Sequence, residues 1–187
     1  MSKKRDFLKQ FFKQKKKIGA VSPSSRFLAS KMLENIDFNN CKVIVELGPG
    51  TGVFTRKIIQ NMADDAKLFV FELHEPFYLQ LKKEFQNDKR VEIILDSAEN
   101  IGEHLKSHSI NQADVVLSSL PLANFNKDLV KSILNSIYDY LSMNGMFIQF
   151  QYSLRSKKQV DEIFDDTKLS FTPRNLPPAF VYTCIKK

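Results

Sequence analysis

VIVELGPGTG, residues 43–52, is the stretch of sequence that decides the fold of this chain. It opens with a short continuous run of Val, Ile and Leu, which is typical of a strand buried in a parallel sheet. Gly48, Gly50 and Gly52 follow at alternate positions. They allow the chain to turn sharply and a ligand to approach the backbone before a helix begins near Val53. The stretch predicts a strand, a ligand-binding loop and a helix, in that order.

The spacing of these glycines narrows the kind of ligand. The dinucleotide-binding pattern G-x-G-x-x-G places its third glycine three positions after the second, whereas here the interval is two, and Pro49 offers no N–H to a phosphate. No Gly-Lys-Ser/Thr follows, so the phosphate-loop pattern fails as well. Glu46, two residues before the first glycine, suits a ligand that carries an ammonium group. A glycine-rich turn without any ligand remains the alternative.

Length and composition describe one globular domain. The chain has 187 residues, of which 43% are hydrophobic and 26% are charged, as in soluble proteins with a real core. Cys41 and Cys184 show no metal-ligand spacing, so we expect reduced thiols in a cytoplasmic protein without a metal site. No apolar run approaches the roughly 20 residues that span a bilayer, and the first residues lack a secretory signal.

The net charge of +7 is concentrated at the start of the chain. Residues 1–17 hold eight basic residues and one acidic residue, so the remainder is neutral. A helix there would be basic with an aromatic face, which is typical of a segment that binds an anionic membrane at roughly 1 kcal/mol per basic residue. The alternatives are a solvated tail, a helix packed on the domain, or an arm that contacts nucleic acid. The residues predicted to face the membrane are Phe7, Leu8, Lys9, Phe11, Phe12 and Lys13.

Apolar runs then alternate with amphipathic segments along the chain. This alternation predicts right-handed βαβ units and a mostly parallel sheet with helices on both faces. The predicted parallel strands are Lys42–Leu47, Lys67–Leu73, Val91–Leu95, Ala113–Ser118 and Gly145–Tyr152. The predicted helices are Val53–Met62, Pro76–Phe85, Glu99–Ser107, Lys127–Leu141 and Lys157–Phe164. Two further strands, Lys168–Pro173 and Ala179–Lys186, are expected to pair as an antiparallel hairpin at one side.

Polar residues stand where the predicted strands end, which is where such a sheet binds its ligands. Glu72 lies 20 residues after Gly52, an interval at which an acid can accept hydrogen bonds from both ribose hydroxyls, although a surface salt bridge would also explain it. Asp96-Ser97-Ala98 after the third strand suits the edge of an adenine. Strand 4 ends in Ser118-Ser119-Leu120-Pro121-Leu122.

These motifs resemble those of a known family. ELGPGTG, FELH, DSA and SSLPL in this order are similar to the class I S-adenosylmethionine (SAM)-dependent methyltransferases. More narrowly, five stretches resemble the bacterial phospholipid N-methyltransferases, which methylate phosphatidylethanolamine, and this resemblance extends over essentially the whole chain. They are IGAVSPSSRFL (residues 18–28), VELGPGTGVFT (45–55), SSLPL (118–122), FIQFQYS (147–153) and RNLPPAFVY (174–182). The resemblance implies an α/β, Rossmann-like fold with a seven-stranded sheet.

The resemblance also implies roles for individual residues. SAM would be the methyl donor and S-adenosylhomocysteine the product, and Ser118 would line the transfer site. The cofactor would contact Glu46, Gly48, Gly50, Gly52, Glu72, Leu73, Asp96, Ser97, Ala98 and Ser118. Tyr152 and Tyr182, or water ordered by a strand-end carbonyl, are candidates for helping the lipid amine to lose its proton. Arg26 and Arg174 are candidates for binding the lipid phosphate; the alternatives are contact with the lid of the cofactor site for Arg26 and a bond to a carboxylate in the hairpin for Arg174. Residues 1–36 would form the basic helix and a helix that covers the cofactor, and residues 37–187 the methyltransferase domain.

Two other functions stay open at this stage. RNA adenine N6-dimethyltransferases carry Asn-(Leu/Ile)-Pro-(Tyr/Phe) at strand 4, where the aromatic ring stacks on the flipped base. Here the corresponding positions hold Ser119 and Leu122, so nucleic acid is not the expected substrate. A SAM-binding protein that docks on membranes without catalysis is the third possibility. We expect a monomer attached peripherally to the inner face of an anionic membrane, with a phospholipid as substrate.

Overall fold

The structure is a computed structural model that describes the backbone of residues 23–187 and the side chains of residues 27–187. The basic helix predicted over the first 17 residues, with its membrane-facing residues Phe7, Leu8, Lys9, Phe11, Phe12 and Lys13, lies outside the described residues. The side chain of Arg26 lies outside them too, although its backbone belongs to the first described helix. The predicted roles of these residues therefore stay predictions.

Seven strands form one sheet in the order β3-β2-β1-β4-β5-β7-β6. The strands are β1 (Val43–Leu47), β2 (Lys67–Phe71), β3 (Val91–Ile94), β4 (Ala113–Ser118), β5 (Leu141–Gln151), β6 (Asp166–Thr172) and β7 (Ala179–Ile185). The first five are parallel, and β7 runs antiparallel between β5 and β6. The predicted mostly parallel sheet with an antiparallel C-terminal hairpin is confirmed.

Helices cover both faces of the sheet because most strands are apolar on both sides. They are α1 (Pro23–Leu33), α2 (Val53–Asn61), α3 (Glu75–Phe85), α4 (Ile101–Ser107), α5 (Lys127–Tyr140) and α6 (Lys157–Asp161). One buried cluster contains side chains of α1 and α2, and a second contains side chains of α4, α5 and α6. Helix α5 begins where the Asn126 side chain accepts the Leu129 N–H at 2.8 Å, which satisfies one of the unpaired donors at a helix start.

Most elements match the sequence prediction to within two residues at each end, and two elements differ by more. Strand β5 begins at Leu141 rather than Gly145, because Leu141 pairs with Ala113 of β4 ahead of a register shift. Within this added part, Asn144 has a φ of 63° and its N–H donates to the Lys186 carbonyl at 2.9 Å. Helix α6 ends at Asp161 rather than Phe164, since the Phe164 ring turns into the core and stacks on Phe147 with 5.2 Å between ring centroids. Both differences depend on contacts that are distant in sequence.

The topology brings the functional candidates to one edge of the sheet. Parallel strands β1 to β5 end at this edge, and the turn between β6 and β7 lies beside the end of β5 because β7 is antiparallel to it. In this pairing Gln151 stands opposite Phe180, and Thr172 stands opposite Ala179. We call this side the carboxyl edge of the sheet.

Candidate functional site

The glycine loop between β1 and α2 has the backbone that its sequence predicts. Gly48, Gly50 and Gly52 have φ values of 68°, 59° and 79°, in the left-handed region that favours glycine. A Cβ added to Gly48 would lie 2.9 Å from the Leu120 Cδ2 atom, whereas a Cβ added to Gly50 would have no neighbour within 4 Å. The loop therefore packs against the end of β4 at Gly48 and leaves space for a ligand at Gly50.

Glu72 connects this loop to the end of β2. Its side chain is buried, and its two oxygens accept the Gly50 N–H at 3.0 Å and the His74 N–H at 2.8 Å. The acid and the glycine loop, which the sequence separates by 20 residues, are thus in direct contact. A carboxylate fixed in this way presents a defined acceptor at the carboxyl edge.

Asp96 is the centre of a hydrogen-bonded group after β3. It accepts the Ser97 N–H at 2.7 Å, the Asn100 Nδ2 at 3.0 Å and the His104 Nε2 at 2.9 Å. Burial by itself would raise the pKa of Asp96, but these hydrogen bonds outweigh burial and keep the pKa below its usual value. The Ser97 side chain in turn caps the short 3-10 helix Ala98–Asn100. Nothing in the local sequence pattern links His104 to Asp96.

Residues from the ends of four strands, β1 to β4, line one cleft. The lining residues are Gly48, Phe71, Glu72, Leu73, Asp96, Ala98 and Leu120. Five of them belong to the cofactor set predicted from sequence. Phe71 and Leu120 were not predicted as site residues, and they give the cleft apolar walls beside its two carboxylates. The cleft combines polar anchors with apolar walls, which is typical of small-molecule sites.

Glu46 lies in β1, two residues before the first glycine of the loop. Its side chain is fully buried, and within residues 27–187 neither carboxylate oxygen accepts a hydrogen bond of good geometry. The pKa of Glu46 is raised to about 8, mainly by burial and also by the nearby Glu72, while Thr55 and Arg56 oppose the rise. A buried acid in this state is stabilised when a cation pairs with it. The site therefore fits a cofactor that offers an ammonium group to Glu46 and a ribose and base to the cleft.

The loop after β4 is fixed by two glutamines that the sequence analysis did not single out. The Leu120 carbonyl accepts hydrogen bonds from Gln149 Nε2 at 3.1 Å and from Gln151 Nε2 at 2.9 Å. Ser118 is fully buried, does not line the cleft, and accepts the Leu120 N–H at 3.3 Å. The only sequence signal for the glutamines was their alternate spacing on β5, which places them on one side of the strand.

We expect the Gln149→Met substitution to loosen this loop. It keeps the side-chain volume but removes the amide that donates to Leu120, so the free energy of unfolding should fall by about 1–2 kcal/mol. Urea denaturation measures the change. The control is Gln80→Met on the exposed side of α3, which should leave the midpoint unchanged. Equal midpoints for Gln149→Met and wild type would contradict the role of this amide.

The two tyrosines proposed from sequence as aids to proton removal lie in different surroundings. Tyr182 is fully buried in the core, does not line the cleft, and has its pKa raised to about 12 by burial, with Asp161 and Cys184 adding to the effect. Tyr152 is exposed at the end of β5, and burial of part of its ring raises its pKa, with Asn175 opposing the change. Hydroxyl groups with raised pKa values are poor bases at neutral pH.

Arg174 is the described member of the pair proposed to bind phosphate. It is exposed in the turn between β6 and β7, and its guanidinium lies 5.8 Å from the centre of the Phe27 ring. Among residues 27–187 no group of three or more His, Cys, Asp or Glu side chains is arranged to hold a metal ion. Within the described part of the chain, no helix is long and apolar enough to cross a membrane.

Comparison with known sequences relates the chain to two groups of enzymes. The family model of ribosomal RNA adenine dimethylases matches residues 11–162. The ornithine lipid N-methyltransferase of Singulisphaera acidiphila is 32% identical over 179 residues, which are 95% of this chain and 93% of that protein. Ribosomal RNA small subunit methyltransferase A of Mesoplasma florum is 25% identical over 145 residues, 75% of this chain and 52% of that protein.

Solved structures agree on the fold. The 1,6-didemethyltoxoflavin-N1-methyltransferase of Burkholderia thailandensis, solved with its substrate and S-adenosylhomocysteine, superposes with a TM-score of 0.74 at 13% identity. The superposition covers 98% of this chain and 87% of that chain. At this level of identity the likeness concerns the fold alone.

Proposed function

The chain belongs to the ribosomal RNA adenine dimethylase family of class I SAM-dependent methyltransferases. Within this family, we propose that it methylates the amine of a membrane lipid headgroup. The observation that carries the proposal is the similarity to a lipid N-methyltransferase along almost the whole of both chains. Phosphatidylethanolamine and its methylated derivatives are the proposed substrates. Ornithine lipid, which is also an amino lipid, is the alternative substrate. The methyl donor is SAM.

The end of β4 supports a lipid rather than an RNA substrate. Leu122 is buried in the core, where its side chain is not available to stack on a flipped base. Ser119 carries a hydroxyl where the RNA enzymes need an amide oxygen for the adenine amino group. The two features by which an adenine would be recognised are therefore missing from this loop.

The proposed roles of the chain's residues follow from the geometry of the site. When bound, SAM supplies a methyl group that moves in line to a lone pair on the acceptor nitrogen. Glu46 would hold the cofactor ammonium, Glu72 the ribose, and Asp96 with Ala98 the base. The loop fixed by Gln149 and Gln151 would position the acceptor amine. Both tyrosine hydroxyls have raised pKa values and are therefore poor bases at neutral pH. We propose instead that water at the mouth of the cleft accepts the proton that the lipid ammonium must lose.

Methyl transfer from labelled SAM tests the proposal. The purified chain is incubated separately with vesicles that contain phosphatidylethanolamine, vesicles that contain ornithine lipid, phosphatidylcholine vesicles and ribosomal RNA. We expect label in one of the two amino lipids and none in phosphatidylcholine, whose nitrogen is already fully methylated. Label in RNA alone would favour the RNA alternative. Binding of SAM without label in any acceptor would favour a protein that binds the cofactor without catalysis.

We further propose that residues 1–17 attach the enzyme to anionic membranes. They carry the whole net charge of +7 together with Phe7, Leu8, Phe11 and Phe12. Deletion of these residues should lower the fraction of protein that sediments with anionic vesicles by about fivefold at moderate salt, since surface charge contributes most of the attraction. The control is a phosphatidylcholine vesicle, on which the deletion should have little effect. Unchanged sedimentation on anionic vesicles would refute this role.

A further inference from the structure

The carboxyl edge of the sheet ends in an exposed apolar tip. The tip consists of residues 152–158, which follow β5, and residues 171–178, which surround the turn between β6 and β7. Its exposed large apolar residues are Tyr152, Leu154, Phe171 and Leu176, and Pro173, Pro177 and Pro178 are exposed beside them. Leu176 is 79% exposed, more than any other large hydrophobic residue in the described part of the chain. Apolar groups concentrated in this way mark an interaction surface.

The tip has a fixed shape. Asn175 is buried, and its Nδ2 donates to the Pro177 carbonyl at 2.7 Å, which holds the turn with Leu176 outward. The Tyr152 ring packs edge-on against Phe150, with 5.5 Å between centroids. The exposure of Leu176 and Tyr152 therefore results from packed neighbours on the inner side of the tip.

The charge of the tip is entirely positive. Its two segments contain Arg155, Lys157, Lys158 and Arg174 and no acidic residue, although residues 18–187 as a whole are neutral. Lys157 pairs with Asp161 and Lys158 pairs with Glu162. Within the described residues, Arg155 and Arg174 make no ion pair, so their guanidinium groups can bind anions. Cations around protruding Leu, Phe and Tyr side chains complement an anionic bilayer, whose surface is negative and whose interior is apolar.

The tip also borders the proposed transfer site. Gln151, the last residue of β5, donates to the Leu120 carbonyl of the loop after β4, and Tyr152 follows it directly. Leu120 lines the cofactor cleft. A lipid held at the tip would have its headgroup beside this loop, within reach of the cleft.

We infer that the tip is a membrane-docking surface that is separate from the N-terminal segment and that inserts Leu154, Phe171 and Leu176 into the boundary of an anionic phospholipid bilayer. The inference rests on the proposed lipid substrate and explains how a headgroup reaches the cleft. Other occupants fit less well. A second copy of the tip and the strongly basic residues 1–17 would both be repelled by its positive charge, and an RNA backbone offers no apolar partner for Leu176.

Vesicle binding by the full chain tests the inference. The Leu154→Ser/Leu176→Ser variant should partition onto vesicles of phosphatidylethanolamine and phosphatidylglycerol roughly tenfold more weakly than wild type, because apolar insertion is lost. The matched control is Leu79→Ser/Met143→Ser, which removes two residues of similar exposure (55% and 61%) away from the tip, and it should bind as wild type does. SAM binding by calorimetry verifies that both variants are folded.

Site-specific labelling provides a second measurement. Cys41 and Cys184 are buried, with pKa values raised to about 11 and about 12 mainly by burial, so an introduced surface cysteine reacts selectively. A polarity-sensitive fluorophore on Leu176→Cys should brighten several-fold when anionic vesicles are added, whereas the same fluorophore on Met143→Cys should not change.

Equal vesicle binding by the tip and control variants, or equal fluorescence at the two labelled positions, would overturn the inference. A fluorescence change at position 176 with ribosomal RNA but not with vesicles would also overturn it and assign the tip to nucleic acid. Both measurements are made without methyl transfer. They can therefore succeed when no lipid is methylated, which separates failure of the docking surface from failure of the proposed function.

Discussion

SAM should bind the Glu72→Ala variant about 100-fold more weakly than wild type, a loss of roughly 3 kcal/mol. Two effects contribute to this loss. The variant lacks the carboxylate proposed to accept hydrogen bonds from the ribose hydroxyls. It also leaves the Gly50 N–H without the acceptor that it has at 3.0 Å, so the glycine loop becomes less ordered. Isothermal calorimetry measures the affinity.

Glu75→Ala is the matched control for this prediction. Glu75 is three residues away and exposed in the first turn of α3, and its replacement should change the affinity less than twofold. Glu72→Gln is the second variant, because it keeps one acceptor oxygen and protects against the possibility that the alanine variant fails to fold. Equal losses for Glu72→Ala and Glu75→Ala would refute the ribose role.

The sequence predicted the fold well because the fold depends on local patterns. Continuous apolar runs such as VIVEL and KLFVF mark strands that are buried on both faces, and the helices between them require parallel crossovers. The contact between Glu72 and Gly50 was also predictable in outline, since both lie where neighbouring parallel strands end. The end of β5 nearest α5 was not predictable. The strand begins at Leu141 because this residue pairs with Ala113 of β4, a contact between distant residues that no local pattern reveals.

The site was predicted less completely than the fold, because side-chain partners depend on packing. Alternation shows which side of β5 carries Gln149 and Gln151, but not that both amides reach the Leu120 carbonyl. In the same way, the sequence around Tyr182 does not show that its ring is enclosed by the core. His104 in α4 forms a hydrogen bond with Asp96, eight residues earlier in the chain, and this interval does not correspond to a regular contact within a helix or a strand.

The pH dependence of cofactor binding is the strongest consequence of the buried acid Glu46. Its pKa of about 8 in the folded chain exceeds its ordinary value of 4.5. The folded state therefore keeps a proton that the unfolded state releases, and stability falls as the pH rises from 4.5 to about 8, by up to roughly 5 kcal/mol. A cofactor ammonium pairs with the ionised form only. Because we propose that the SAM ammonium pairs with Glu46, binding below pH 8 should release this proton, and SAM affinity should rise roughly tenfold per pH unit between pH 6 and 7.5.

Glu46→Gln separates the charge of this residue from its shape. The neutral amide should make the cofactor-free protein more stable than wild type at pH 8, because no buried charge forms there. It should also weaken SAM binding about 30-fold to 100-fold at that pH and remove the pH dependence. Thermal unfolding and calorimetry in buffers of different ionisation enthalpy measure both effects, with Glu75→Gln as the control. Tight, pH-independent binding by wild type would mean that Glu46 does not pair with the ammonium, since a protonated buried acid cannot take up a cation without losing its proton.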